Sequence, residues 1–354
     1  MRTNFLLTGF TLTALFSCTT AFAADPRLLN LVMPDATTLA GANVTNAEIT
    51  PFGQYVLTQL TSTVNQELQA FVTATGFDPR TDVSEILAAS SSNVTNPSGL
   101  VLALGNFNVP QITAAITSRA PGQAVQTYGG AILFTGGNAT SSASIAFLGT
   151  NIAIAGDTAS VKAAIDRSQS ANSINTALAV QVQTLSTTED AWAVTTSPLT
   201  SLIPGLGAPP AATATGTAAP TPVSPFTQMF SSIQGSSGGI KFGNTVQITG
   251  QVMTTDAASA TSLANVLQAL VSIASMTGGQ TGGQNPQLAI MAQILQGMTV
   301  TANGTAINVA LSIPETQIET ILNNMKNQAM PAVRPSIRPA IAPRALHTPA
   351  AAQQ

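Results

Sequence analysis

Apolar residues at Phe52, Val56, Leu60, Val64, Leu68 and Phe71/Val72 recur every three or four positions, the spacing that lines one face of a helix. A different period governs Ile307, Val309, Leu311 and Ile313, which alternate after an Asn303-Gly304 turn and predict one half-buried strand of a hairpin. Between these two signatures the chain predicts a strand over Gly99–Leu104, a helix over Pro110–Ser118, a hairpin over Ser144–Ala155 turning at Gly149-Thr150-Asn151, and a helix over Thr158–Arg167. Further on come a hairpin over Ile240–Met253 turning at Gly243-Asn244, a helix over Ala257–Ser275 and a last helix over Ile313–Asn327. Antiparallel hairpins joined to amphipathic helices imply an α+β fold.

An internal echo refines that picture. Thr50-Pro51-Phe52-Gly53-Gln54-Tyr55-Val56 returns as Ser224-Pro225-Phe226-Thr227-Gln228-Met229-Phe230, and each copy is followed by hairpins and helices. The expectation is two related halves, each a curved antiparallel sheet with helices packed on one face. Residues 24–199 would form the first half and 224–327 the second. Residues 200–223 join them and are rich in Pro, Ala and Thr, a composition that suits neither a buried helix nor a central strand. Thr277–Pro286 (TGGQTGGQNP) reads as an exposed loop, and 328–354 as a disordered Pro/Ala-rich tail.

The first 23 residues read as a secretory signal. Arg2 supplies the positive start, Phe5–Phe16 a short apolar stretch, and Ala21-Phe22-Ala23 a cleavage site. A competing reading takes Leu15-Phe16-Ser17-Cys18 as a lipobox with Cys18 lipidated, although Phe16 fits that pattern poorly. No stretch of the mature chain has the roughly 18 uninterrupted apolar residues of a membrane-spanning helix. The expected location is periplasmic, outer-envelope or extracellular.

Charge narrows the chemistry. Only 7% of the 354 residues are charged, against roughly 25% in an ordinary soluble domain. Such a chain lacks the dense basic stripe that nucleic acid requires. Cys18 is the only cysteine and His347 the only histidine, so neither histidine-assisted nucleophiles nor the usual zinc sites can be built in the body. The glycine-rich stretches contain neither GxGxxG nor GxxxxGK[ST], and nothing points to a cofactor. Four bases and no acid occupy residues 326–354, where Arg334, Arg338 and Arg344 could contact anionic envelope components. The body has few groups to titrate, which predicts tolerance of acidic surroundings.

Against that background, Gly76–Glu85 concentrates Asp78, Arg80, Asp82 and Glu85 in ten residues. These are candidates for a ligand or partner site, either a carboxylate pair or a calcium loop, although the spacing is not that of an EF-hand. Asp82-x-x-Glu85 equally reads as a helix capping box, with Arg80 bridging Asp78 or Asp82. Trp192, preceded by Glu189 and Asp190, is either a strand residue packed in the core or a stacking platform for a ligand. Asp157-Thr158-Ala159 faintly resembles an aspartic-protease motif, but no second copy exists, and Asp157 reads as the N-cap of the following helix. Lys162 stands four residues before Asp166, an arrangement for a helix ion pair.

The strings Leu28-Leu29-Asn30-Leu31-Val32-Met33-Pro34-Asp35-Ala36, Ser/Thr-Pro-Phe-x-Gln and Gly76-Phe77-Asp78-Pro79-Arg80 together resemble secreted bacterial proteins of acidobacterial type whose function is unknown. That resemblance brings no catalytic residues. The sequence therefore leads to a non-enzymatic exported envelope protein acting as a scaffold or binding module. Two alternatives stand beside it: a periplasmic carrier of apolar ligands, and a hydrolase using the carboxylates of Asp78, Asp82, Glu85 or Asp157.

Overall fold

Turn and cap chemistry sets where the elements begin. Asp25 caps α1 (Pro26–Leu29), with Pro26 in its first turn, and Asn43 ends β1 (Thr38–Asn43) by capping α2 (Val44–Ile49). Then follow α3 (Pro51–Ser62), α4 (Asn65–Thr75), β2 (Val83–Ser90), β3 (Gly99–Gly105), α5 (Val109–Arg119), β4 (Ala124–Tyr128) and β5 (Ala131–Thr135). The hairpin of β6 (Ala143–Leu148) and β7 (Ile152–Asp157) turns at Gly149, whose φ of +59° suits a residue without Cβ. Asp157 then accepts the Ser160 N–H and caps α6 (Thr158–Arg167), and Asn175 caps α7 (Thr176–Thr188) in the same way. The remainder is β8 (Ala191–Thr195), β9 (Ile233–Lys241), β10 (Thr245–Thr254), α8 (Ala257–Thr281), β11 (Met298–Asn303), β12 (Ala306–Pro314) and α9 (Glu315–Ala329).

This computed structural model describes residues 24–62, 65–92, 98–119, 124–136, 143–172, 174–198, 231–281 and 297–329. Residues 1–23, read from the sequence as a secretory signal, with Cys18, the joining stretch 200–223, the repeat string at 224–230 and Arg334, Arg338 and Arg344 of the tail lie outside the described residues.

All twelve described strands hydrogen-bond into one sheet, in the order β11-β12-β10-β9-β8-β1-β2-β3-β7-β6-β5-β4, every neighbouring pair antiparallel. The α+β class follows directly. The structure differs from the expected pair of sheets, because β8 pairs with β1 on one side and β9 on the other and so joins the two stretches of chain. Helices also lie on both faces.

On the first face Leu39, Leu87, Leu102, Leu133 and Ile154 are sealed beneath α1, α6 and α7, which contribute Leu28, Val161, Ile165, Leu178 and Val182. Each such side chain stabilises the fold by roughly 1.5–3 kcal/mol. The second face carries two smaller clusters. Phe134 and Phe147 pack with Phe107 and Ile112 of the α5 region, and Val300 and Ile307 pack with Ala260, Leu263 and Ala264 of α8.

Three local expectations change. Asp82-x-x-Glu85 caps no helix, because β2 begins at Val83. Helix α8 runs to Thr281, into the stretch read as a loop from Thr277. Lys162 and Asp166 meet Tyr128 of β4 instead of each other: the ammonium lies 5.3 Å from the ring centroid, and the phenol donates to Asp166 at 3.1 Å.

Candidate functional site

Alternation along a strand sends successive side chains to opposite faces, so the pairing register reveals what each face presents. On the second face Ile145, Ala155, Val101, Ala88, Ala40 and Ala193 follow one another across six adjacent strands. The neighbouring row on the same face reads Phe147, Ala153, Ala103, Ile86, Ala42 and Ala191. Twelve consecutive apolar positions thus make a two-row floor.

Phenylalanines close one end of this floor, where Phe147 meets Phe107 and Phe134 at ring-centroid distances of 5.5 and 6.1 Å. Elsewhere it is open: Val101 is 48% and Ile145 41% exposed. With Ile86 and Val125 they are the exposed large apolar residues on the described strands, and the register places all four on this face. Contiguous exposed apolar surface on a sheet marks a place for a partner, a ligand or another part of the chain.

The acidic segment singled out in the sequence is divided by the sheet. The Arg80 guanidinium grips Asp78 at 2.5 Å and holds its carboxyl below the usual carboxylate range. Asp82 accepts the Asp78 N–H at 2.7 Å, closing the loop on itself. It borders a cleft of about 420 Å³ with Phe77, Asn106, Phe107 and Gln111, on the side of the phenylalanine cluster. Glu85, three residues later, pairs with Asn43, and the register puts it on the first face with Trp192. Trp192 is buried, its indole lying over Gly41, where a Cβ would come within 2.5 Å of Cζ2. Asp157 is the cap of α6. The acids proposed for hydrolysis are therefore engaged separately, and among the described residues no three potential metal ligands gather.

Sequence reasoning missed the role of Asp190. Its carboxylate accepts from Lys241 at 2.8 Å, Asn46 at 2.8 Å and the Phe242 N–H at 2.6 Å, linking α2, β8 and the end of β9. Its position before Trp192 in a charge-poor chain was the available signal.

Burial pushes the Glu85 carboxyl up to about 7, opposed by the Asp25 backbone N–H. A carboxyl raised in the native state costs stability as pH rises from its unfolded value through the folded one and costs nothing below. After solvent screening, that cost is on the order of 1–2 kcal/mol. Asp25 and Asp78, each held below 3.8 first by its arginine, have the opposite sign. So does Asp157, where hydrogen bonds from Ser160 and nearby N–H groups outweigh burial. Their contributions persist until the solution is more acid than about pH 4. For the chain still extended ahead of Ala24, thermal unfolding at constant ionic strength is thus expected to give a melting temperature at pH 4.5 no lower than at pH 7. A drop of several degrees would contradict this.

No protein-family model matches the chain, and no curated protein is similar to it. Among solved structures, crystal form I of TP0453 is similar with a TM-score of 0.45 and 10% identity, covering 86% of this chain and 98% of that one. Crystal form III has a TM-score of 0.48 and 10% identity, with 85% and 99% covered.

Proposed function

We propose that the protein is a non-enzymatic binding module of the bacterial cell envelope, exported through the leader at residues 1–23, that holds an apolar, chain-like ligand on the open face of its sheet. The observation that carries this reading is the two-row floor around Val101 and Ile145. Alanines dominate its middle, and short side chains leave a shallow, smooth surface suited to an extended hydrocarbon. The hydrolase alternative has less support, since Asp78 is neutralised by Arg80 and Glu85 faces the other side of the sheet. The basic tail would add weak, salt-sensitive attraction to an anionic surface.

The test is titration of the exported protein with a fluorescent acyl-chain probe. Val101→Asp with Ile145→Asp places two carboxylates on exposed positions of the floor. Weakening of about 10-fold or more is expected, from the loss of two apolar contacts, with the far-UV spectrum and melting temperature retained. A wild-type protein that takes up no probe, or a variant that binds as well, would refute the assignment.

A further inference from the structure

On the first face, at the end of β1, lies a small cavity lined by Ala24, Asn43, Glu85, Ser186, Glu189 and Trp192. Its volume, about 10 Å³, fits one water-sized group. Three acceptors there invite a cation. Glu189 Oε2 and the Ser186 hydroxyl are buried without a hydrogen-bond partner, and Ser186 is only 5% exposed. Glu85 receives the Asp25 N–H, bifurcated at 3.2 Å to each oxygen. Buried acceptors left unpaired cost about 1–3 kcal/mol each, so a partner is expected. Ala24, 7% exposed and part of the main core, is the residue that follows the Ala21-Phe22-Ala23 cleavage signal.

We propose that this cavity seats the chain's own amino terminus: the α-ammonium of Ala24, exposed by removal of residues 1–23, is held by Glu85, Glu189 and Ser186. The proposal rests on the export reading of that leader. Hydrolysis by a leader peptidase adds water across the Ala23–Ala24 bond, leaving a carboxylate on Ala23 and an amine on Ala24 that is protonated at neutral pH. An ammonium has three donors and no acceptor, matching three acceptors and no competing cation inside the cavity. The charged groups around it are Asp25, held by Arg27; Glu85; Glu189, whose other oxygen accepts from Thr249; and Asp190, held by Lys241. Before cleavage Ala24 carries an uncharged amide, and Glu85 is left as a half-paired carboxyl pushed up by burial. Processing thereby completes the core at the junction of α1, β1 and α7.

The experiment compares four proteins: the chain beginning at Ala24 and the same chain preceded by Gly-Ser, each as wild type and as Glu85→Gln. At pH 7 the Ala24 form is expected to melt at least about 4 °C above the extended form. In the Glu85→Gln background, and at pH 5 where Glu85 of the extended form is protonated, the gap should shrink to about half or less, Glu189 and Ser186 alone then holding the ammonium. The intact mass of the protein exported from full-length chain tests the export reading separately. A mass starting at any residue other than Ala24 removes that reading and the proposal with it. A mass starting at Ala24, with equal melting of the Ala24 and Gly-Ser forms, overturns the proposal alone.

Discussion

Replacing Asp190 by Ala is expected to lower the melting temperature by about 6–12 °C, a loss of about 3 kcal/mol in a domain of this size. Asp190 is 2% exposed and collects three donors from two distant parts of the chain: Asn46 beyond β1, and Lys241 with the adjoining Phe242 N–H at the end of β9. Removing the carboxylate leaves the Phe242 N–H and the Asn46 amide without their partner. The Lys241 side chain is 44% exposed and can turn to water, which keeps the loss at the lower end for a buried ion pair. Asp190→Asn keeps the shape and one acceptor for Phe242, and about half the effect is expected. Thermal unfolding followed by far-UV dichroism reads both variants. An Ala variant within about 2 °C of wild type would show that this link does not hold β8, β9 and α2 together.

Trp192→Ala is expected to cost about 3–5 kcal/mol, since it empties a buried site that backbone atoms cannot fill. The indole lies over Gly41 on the neighbouring strand, so Gly41→Ala alone should cost about 1–3 kcal/mol by collision with the ring. The two are coupled. With the indole gone, the extra methyl meets space, and the double variant should be no less stable than Trp192→Ala by itself. Denaturant unfolding of the three proteins completes the cycle. Near-additive losses would place the ring elsewhere, and an unchanged stability for Trp192→Ala would return Trp192 to the role of an exposed platform.

What the sequence revealed was whatever is decided locally. Helix α6 and its Asp157 cap, the β6–β7 and β11–β12 hairpins with their turn glycines, and the alternation of β12 all depend on neighbours within a few residues. Where tertiary pairing competes with a local motif, the motif loses. Asp82-x-x-Glu85 has capping-box spacing, yet Ser84–Ser90 is drawn between β1 and β3 and Glu85 becomes a strand residue. Lys162 and Asp166 have ion-pair spacing, but Tyr128 arrives from β4 to engage both. Helix α7, rich in Thr and Val, has weak helix propensity and is held by burying Leu178 and Val182.

The candidate site was less legible for a related reason. Ala40, Ala88, Val101 and Ile145 are unremarked members of separate strands, and their row exists only once register is known. Likewise Ala24, Glu85 and Ser186 are far apart in the chain and meet only through the packing of α1 and α7 on the sheet.

The assignment of the open sheet face is tested most directly by the mass spectrum of what travels with the protein. The protein would be expressed from the full-length chain, purified without detergent, extracted with organic solvent and compared with the Val101→Asp, Ile145→Asp variant prepared in parallel. An acyl-chain species in near-stoichiometric amount with the wild type, lost from a variant of unchanged melting temperature, is the predicted result. An extract free of apolar molecules, or one equally loaded from both proteins, would contradict it.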